Sequence, residues 1–146
     1  MDLEKLVDDY ISAWNRRDSS GLLALMHDGV AIYNAFWMES SVGRHAANYL
    51  RDILDEDIHW YKQVGDVIDF GNGVAFRYSA HELTDSTGGR TVFEGAEVLN
   101  VQDNKIITVS DYYCDPDRSA LLEVAKLTAI RHGLSKYVKS GLHAVK

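Results

Sequence analysis

Before His59 the hydrophobic residues of this chain recur at helical spacing in three segments, interrupted by one strand-like run, and from His59 onward they alternate as in strands. The clearest helical stripe lies at the start of the sequence. Its members are Leu3, Leu6, Val7, Tyr10, Ile11 and Trp14. With Asp2 as the N-cap, this spacing predicts an amphipathic helix.

Three shorter elements are predicted between this helix and His59. A second helix is predicted to begin between Asp18 and Ser20 and to end at Gly29, since glycine commonly follows the last turn of a helix. The run VAIYN at 30–34 is typical of a strand. A third helix is predicted from apolar positions at helical spacing, which are Ala46, Tyr49, Leu50, Ile53 and Leu54.

Four antiparallel strands joined by hairpins are predicted after His59. Their β-branched and aromatic runs are HWYKQVGDVIDF, VAFRYSAHEL, TVFEGAEVLNV and IITVSDYY, separated by Gly-Asn-Gly, by DSTGG and by Asp-Asn. A last helix is predicted from Asp115 to Gly133, with Pro116 at its first position. Helices followed by a meandering sheet predict an α+β fold in which a curved, mixed or antiparallel sheet wraps around the N-terminal helices.

The composition is that of one soluble domain. The 146 residues are 46% hydrophobic and 25% charged, and no apolar run approaches the roughly 20 residues that cross a bilayer. The net charge of -7 argues against nucleic acid as a partner, because phosphate binding depends on basic patches. The acidic start of the chain does not resemble a secretory signal, and the single Cys114 fits a reducing compartment. A cytoplasmic location is therefore expected.

Three segments of the chain resemble the SnoaL-like branch of the nuclear transport factor two superfamily. In chain order they are YISAWNRRDSSGLLALMHDGVAIYN, SSVGRHAANYLRDIL and EGAEVLNVQDNKIITVSDYYCDP. The resemblance covers about residues 4–116. Its most specific part is the acidic turn, the Lys-Ile pair and the Asp-aromatic-aromatic run before Asp-Pro.

The resemblance implies a single cone-shaped domain whose open end holds a small apolar molecule, often in a homodimer paired through the outer sheet. Activities known in the superfamily are polyketide cyclase, ketosteroid isomerase, scytalone dehydratase and limonene epoxide hydrolase, while other members only bind or dimerise. The chain continues beyond the usual end of such domains. Residues 117–146 are therefore expected to form a helical C-terminal extension of the one domain, 1–146.

The stretch VSDYYCDPD carries an acid, Asp111, among apolar neighbours. Asp111 shares one face of its strand with Val109 and Tyr113, and that face is the more apolar and therefore the predicted inner one. A carboxylate walled by apolar side chains has a raised pKa, which suits a general acid or base. The resemblance also implies a working Asp on the last strand. The alternative is a structural Asp, hydrogen-bonded to an inward Tyr, Arg or His.

The partner of Asp111 on the neighbouring strand follows from the turn between the two strands. A regular hairpin around a two-residue turn at Asp103-Asn104 sets Ala96 opposite Asp111. Glu97 then falls on the opposite face of the sheet. A pair of inward carboxylates is therefore not predicted.

His81, Arg77 and Ser79 share one face of their strand, and two interpretations remain open. If that face is inward, His81 would relay a proton and Arg77 would hold Asp111 ionised or stabilise an oxyanion. If it is outward, the three form a solvated or dimer-facing row. The hydrophobic pattern slightly favours the outward interpretation.

Four aromatic residues complete the candidate site. Tyr33 closes the first predicted strand, and its hydroxyl would polarise a carbonyl or epoxide oxygen beside a carboxylate. Trp37 follows in a region where similar proteins line the pocket, and it would stack on a ring of the ligand. Tyr61 and Tyr113 are weaker substrate-binding candidates, and a plain core role is the alternative for all four.

These residues predict acid–base chemistry without a cofactor. The six histidines show no metal-ligand spacing and the sequence has no glycine-rich phosphate loop, so neither a metal nor a nucleotide cofactor is expected. The leading hypothesis is an isomerase, cyclase, dehydratase or epoxide hydrolase acting on a small apolar carbonyl or epoxide compound. Asp111 would be its base, with His81 or Tyr33 as acid or oxyanion donor. The alternative is a non-catalytic ligand-binding or dimerisation module with the same fold.

Overall fold

A computed structural model describes residues 1–34, 39–82 and 91–114, which form three helices and six strands. The helices are α1 (Leu3–Asn15), α2 (Ser19–Ala24) and α3 (Arg44–Glu56). The strands are β1 (Met26–Asn34), β2 (Glu39–Val42), β3 (His59–Asp69), β4 (Gly73–Glu82), β5 (Thr91–Gln102) and β6 (Lys105–Cys114). The predicted DSTGG turn and the predicted C-terminal helix lie outside the described residues.

The first two helices begin where the sequence predicts. Oδ1 of Asp2 accepts a hydrogen bond of 3.0 Å from the amide of Lys5, and Oδ1 of Asp18 accepts one of 2.9 Å from Gly21. The predicted end of the second helix at Gly29 is wrong. The helix ends at Ala24, because the carbonyl of the next residue accepts a hydrogen bond from Ile106 of β6 and the chain enters the sheet there.

The six strands form one curved, open sheet in the order β2-β1-β6-β5-β4-β3. β1 and β6 run parallel, whereas all other neighbouring strands run antiparallel. The predicted α+β class with its N-terminal helices is therefore confirmed. β2 is not predicted from the sequence, because its residues ESSV carry no alternating hydrophobic signal.

The hydrophobic core lies between the helices and one face of this sheet. α1 buries Leu3, Leu6, Val7, Tyr10 and Ala13. The largest fully buried side chains come from all three helices and from β4, β5 and β6, namely Val7, Leu22, Leu54, Val74, Leu99 and Ile106. The helix-facing side of the sheet is thus the inner face.

A β-bulge in β6 sets the register of the last hairpin. Asp103 and Asn104 have φ values of 53° and 59°, as a type I′ turn requires, and Val101 pairs with Ile106. The next pair is Asn100 with Thr108, so Ile107 is an extra residue on β6. From that point on, every β6 residue meets a partner one position later in β5 than regular pairing predicts.

Candidate functional site

A cavity of about 350 Å³ opens between the inner face of the sheet and helices α1 and α3. This is near the lower end of the range for small-molecule pockets. Much of its wall is apolar, including Ile11, Trp14, Ile32, Leu50, Ile53 and Phe76. Two groups of polar side chains also lie on this wall. One group is on β5 and β6, and the other lies where α3 leads into β3.

Two carboxylates face each other on the sheet wall of the cavity. Glu97 of β5 pairs with Asp111 of β6, and both line the cavity. Directly paired residues on antiparallel strands have Cβ atoms about 4.5–5.5 Å apart. The predicted pairing of Ala96 with Asp111 is wrong, because the extra residue Ile107 shifts the register by one, and the prediction that Glu97 faces away falls with it.

Asp111 is a carboxylate with a raised pKa. Burial raises its pKa to about 6, although hydrogen bonds from the hydroxyl of Tyr78 and from the amide of Tyr112 act in the opposite direction. The Tyr78 hydroxyl donates to Oδ1 of Asp111 over 2.8 Å. Near neutral pH, Asp111 is therefore mostly ionised and more basic than an exposed Asp.

Glu97 is more deeply buried, with 9% of its surface exposed. Burial, and then the negative charge of Asp111, raise its pKa well above the ordinary value, while the nearby Tyr10 hydroxyl lowers it by a smaller amount. Among the described residues, Oε2 of Glu97 has no hydrogen-bond partner. Glu97 is thus the member of the pair that keeps its proton, and one of its oxygens remains unpaired at the buried end of the carboxyl group.

The ring of Tyr78 reaches Asp111 because its cross-strand neighbour is a glycine. Tyr78 pairs with Gly95 of β5, and a Cβ atom on Gly95 would lie 2.4 Å from the Tyr78 hydroxyl oxygen. The absence of a side chain at Gly95 therefore makes the space for this ring. Burial, followed by the charge of Asp111, raises the pKa of Tyr78, so its hydroxyl stays protonated and donates.

The second polar group of the cavity consists of Asp57, His59 and Tyr61. Oδ2 of Asp57 accepts a hydrogen bond of 2.6 Å from the Tyr61 hydroxyl. Oδ1 lies 3.2 Å from Nδ1 of His59 and 2.9 Å from its amide nitrogen. Burial alone would raise the pKa of Asp57, but these bonds lower it below its ordinary value, so Asp57 is ionised.

The sequence itself shows which family the chain belongs to. The sequence model of the SnoaL-like domain matches residues 7–109. The chain belongs to the SnoaL-like family. No curated protein matches it.

Solved structures share the fold of this SnoaL-like domain at low sequence identity. A SnoaL-like protein of unknown function from Burkholderia thailandensis is 17% identical, with a TM-score of 0.63 over 77% of this chain and 94% of its own. A proposed ketosteroid isomerase from Kribbella flavida is 21% identical, with a TM-score of 0.60 over 76% of each chain. AclR, a proposed hydroxylase from Streptomyces galilaeus, is 18% identical, with a TM-score of 0.59 over 90% of this chain and 84% of its own.

The SnoaL-like domain brings four of the predicted site residues to the cavity. Asp111, Tyr61, Tyr113 and Tyr33 all line it. The Tyr61 hydroxyl is bonded to Asp57 and its ring lies edge to face against that of Tyr78, with centroids 5.7 Å apart. The ring of Tyr113 lies 5.6 Å from that of Phe93. The predicted Trp37 lies outside the described residues.

His81 and Arg77 lie on the other face of the sheet, which corrects the inward interpretation. The inner face of β4 is formed instead by Phe76 and Tyr78, which line the cavity. His81 stacks on Trp60 with ring centroids 4.5 Å apart, and its Nε2 lies 2.9 Å from the Ser79 hydroxyl oxygen. Arg77 is exposed, but His81 is only 4% exposed. The outward row of Arg77, Ser79 and His81 is therefore not uniformly solvated.

Tyr33 borders the cavity without reaching the carboxylates. Its residue neighbour on β6 is Ser110, whereas the preceding Ile32 pairs with the buried Val109 on the inner face. The Tyr33 ring lies edge to face against Tyr112, which is 48% exposed, with centroids 6.4 Å apart. Alternation along β1 therefore directs this ring to the outer face, away from Asp111.

Four residues of the site were not predicted as chemical groups from the sequence, namely Asp57, His59, Tyr78 and Glu97. The inward position of Tyr78 follows from the apolar alternation of β4, and that signal was visible. No local signal marks the bulge that turns Glu97 inward. Within the described ranges, no three His, Cys, Asp or Glu residues form a group that could hold a metal, and no helix is long and apolar enough to span a membrane.

Proposed function

We propose that this SnoaL-like domain is a cofactor-independent acid–base enzyme that moves a proton on a small, largely apolar carbonyl compound, as an isomerase does. The observation that carries the proposal is the buried pair of Glu97 and Asp111, which face each other on one wall of the cavity. Two carboxyl groups with different environments supply an acid and a base at the same pH.

The two carboxyl groups take different roles because of their burial. Asp111, with a pKa of about 6, is ionised and accepts a proton from the carbon next to the carbonyl. Glu97 retains its proton and donates a hydrogen bond to the carbonyl oxygen. In a ketone whose neighbouring carbon is followed by a C=C bond, the electron pair of the broken C–H bond forms a new C=C bond and the carbonyl becomes a dienolate, whose oxygen accepts the hydrogen bond from Glu97. Return of the proton from Asp111 to the far carbon of the original C=C bond restores the carbonyl, completes the isomerisation and leaves both carboxyl groups in their starting states.

The position of both groups on one wall favours this chemistry over the opening of an epoxide. A carbonyl oxygen and the hydrogen on its neighbouring carbon can both point towards the same wall. Opening an epoxide by water, in contrast, places the attacking oxygen and the acid on opposite sides of the reacting carbon. The pair of Glu97 and Asp111 fits the first arrangement.

The wall of the cavity favours an uncharged substrate. Its titratable side chains include the acids Glu56, Asp57, Glu97 and Asp111, and no Lys or Arg is found on the described part of the wall. An anion would meet unfavourable charge there, and a cation would need to leave water for a largely apolar cavity. A neutral carbonyl compound avoids both costs.

Exchange of carbon-bound hydrogen for deuterium tests the proposal. We would follow 2-tetralone and other small ketones by proton NMR in D₂O, with wild type, Asp111→Asn and Glu97→Gln. Wild type is expected to accelerate exchange next to the carbonyl, and each variant to lose roughly 10²- to 10⁴-fold of that acceleration. Tyr112→Phe, on the outer face, is the matched control and should retain it.

The same experiment decides between an enzyme and a binding module. If the ketones shift resonances of cavity residues but exchange no faster with wild type than with Asp111→Asn, the domain binds such compounds without turning them over. That result would establish the non-catalytic alternative.

The assembly and location of the domain belong to the same proposal. Homodimerisation through the outer face of the sheet is supported by the family resemblance and by the exposed Tyr112 on that face. A cytoplasmic location is supported by the single Cys114, which fits a reducing compartment. Sedimentation equilibrium tests the dimer. A monomer mass of 16.4 kDa at all concentrations would contradict it.

A further inference from the structure

The group of Asp57 and His59 is held rigidly at the point where α3 leads into β3. The guanidinium of Arg17, just after α1, donates hydrogen bonds to the backbone carbonyls of Asp57 and His59. The side chain of Asn15 binds both backbone groups of Tyr61, accepting from the amide at 2.7 Å and donating to the carbonyl at 2.8 Å. The C-terminal end of α1 therefore fixes the backbone on which these side chains stand.

The bonds of Asp57 fix the orientation of the His59 ring. Since Asp57 is ionised, both its oxygens can only accept hydrogen bonds, so Nδ1 of His59 must carry the proton of this contact. In the neutral ring, Nε2 is then the acceptor. The second oxygen of Asp57 is held by the Tyr61 hydroxyl, which prevents the carboxylate from turning away.

His59 presents this oriented ring to the cavity. Its side chain is 22% exposed and lies on the cavity wall, edge to face against Phe93 with centroids 5.2 Å apart. A series of contacts leads from His59 through Asp57, Tyr61 and Tyr78 to Asp111. A ligand whose carbonyl meets the carboxylate pair would therefore have its other end near His59.

We infer that Asp57 and His59 form a binding site for a hydroxyl group, with Nε2 of His59 accepting the hydrogen bond of an alcohol or phenol. In the neutral ring Nε2 can accept the hydrogen bond that a hydroxyl group donates, and a hydroxyl group adds no charge to a wall rich in acids. Phe93 and Tyr61 supply flat apolar surface on which a ring bearing that hydroxyl can pack. Asp57 is the positioning residue, because it acts on the ligand only through His59.

This site narrows the class of substrate. The compound would carry its hydroxyl at the end remote from the reacting carbonyl, a statement that rests on the proposed function. The hydroxyl site itself depends only on the geometry of Asp57 and His59, so the two ideas can fail separately.

Phenol tests the hydroxyl site without any carbonyl chemistry. Anisole is the matched control, since it has the same ring but its oxygen carries a methyl group and cannot donate. With ¹⁵N-labelled histidine in the wild-type protein, phenol is expected to shift the Nε2 resonance of His59, while anisole leaves it nearly unchanged. Phenol should bind about three- to tenfold more tightly than anisole, the effect of one hydrogen bond.

Three variants assign the effect to its residues. His59→Phe should abolish the preference for phenol. Asp57→Asn should change the proton distribution between the two ring nitrogens of His59, visible in its ¹⁵N shifts, and reduce the preference. Glu97→Gln should leave the preference intact, whatever it does to deuterium exchange.

Several results would overturn the inference. Equal affinity for phenol and anisole, no shift of His59 up to the solubility limit of phenol, or a preference that survives in His59→Phe would each exclude the site. Loss of exchange chemistry in the ketone assay with an intact phenol response would overturn the proposed function alone.

Discussion

The hydroxyl of Tyr78 donates a hydrogen bond of 2.8 Å to Asp111, yet the pKa of Asp111 is raised to about 6. Burial thus outweighs a hydrogen bond that favours the ionised form. The consequence is a carboxylate that is charged near neutral pH but is still a useful base. Burial and the hydrogen bond from Tyr78 together set the pKa of Asp111, and therefore the pH range in which it acts as a base.

Replacing Tyr78 by Phe should raise the pKa of Asp111 further, because the bond that stabilises the carboxylate is lost. A hydrogen bond to a charged group contributes about 1.5–3 kcal/mol, so exchange relative to wild type should fall roughly ten- to a hundredfold at pH 6. The ratio of the two rates should approach one above about pH 9, where Asp111 is ionised in both proteins. An equal loss at every pH would show that Tyr78 does not act through this pKa.

Replacing Gly95 by Ala should also disturb the hydrogen bond between Tyr78 and Asp111. The new methyl group would lie 2.4 Å from the Tyr78 hydroxyl oxygen and 2.5 Å from the ring carbon that bears it, so the ring must move. We expect a loss of about 1–3 kcal/mol in the free energy of unfolding and a higher pKa of Asp111. Urea denaturation and carboxyl NMR measure the two effects.

Gly29→Ala is the control for this substitution, because no atom of the described residues lies closer than 3.4 Å to the added carbon. In a Tyr78→Phe background, Gly95→Ala should no longer change the pKa of Asp111, since the bond is already absent. A stable Gly95→Ala protein with an unchanged Asp111 pKa would contradict the packing described for Tyr78.

The buried carboxylate should cost stability as the pH rises. Asp111 has an ordinary pKa of 3.8 and a folded-state value of about 6, so between these values the folded state holds a proton that the unfolded state has lost. Stability therefore falls as the pH rises through this window, by about 3 kcal/mol in total. The Asn of Asp111→Asn does not titrate, and this variant avoids the loss.

Denaturation at several pH values measures this effect. Asp111→Asn should differ from wild type by less than about 1 kcal/mol at pH 4 and be more stable by about 3 kcal/mol at pH 7. Asp66→Asn, at an exposed position, should show no such trend. A stability difference that does not grow with pH would mean that Asp111 is not desolvated.

Replacing Asn15 by Ala should loosen the wall that carries Asp57 and His59. The substitution leaves the amide and the carbonyl of Tyr61 without their partner, and we expect a loss of about 1–3 kcal/mol of stability. Lys5→Ala, which removes an exposed ion pair with Asp9, should change stability by less than about 1 kcal/mol. Thermal unfolding measures the loss of stability in both variants. Equal losses would show that the hydrogen bonds of Asn15 to Tyr61 do not stabilise the fold more than an exposed ion pair does.

The fold was predictable from the sequence because its signals are local. The apolar stripe of α1, the caps at Asp2 and Asp18, and the Asp103-Asn104 turn all act within a few residues, and each lies where the sequence predicts it. β2 was not predictable, because its residues show no strand pattern of their own. They form a strand by pairing with β1.

The site was predictable only in part, because it depends on register and on burial from distant elements. Asp111 faces inward as predicted, since alternation within one strand decides its side. The cross-strand partner of Asp111 depends on the single extra residue Ile107. This residue makes Glu97 the partner in place of Ala96, and no local sequence pattern marks it. His59 has no periodic or motif signal, and only its contact with Asp57 distinguishes it from the other histidines.

A carboxyl ¹³C NMR titration of wild type, Asp111→Asn and Glu97→Gln from pH 3 to pH 9 tests the buried acid–base pair most directly. We expect Asp111 to titrate near pH 6 and Glu97 to keep its proton well above the ordinary pKa of a glutamic acid. In Asp111→Asn the pKa of Glu97 should fall towards that value, because the neighbouring negative charge is gone. Titration of both groups near pH 4, with neither responding to the loss of the other, would contradict the buried acid–base pair.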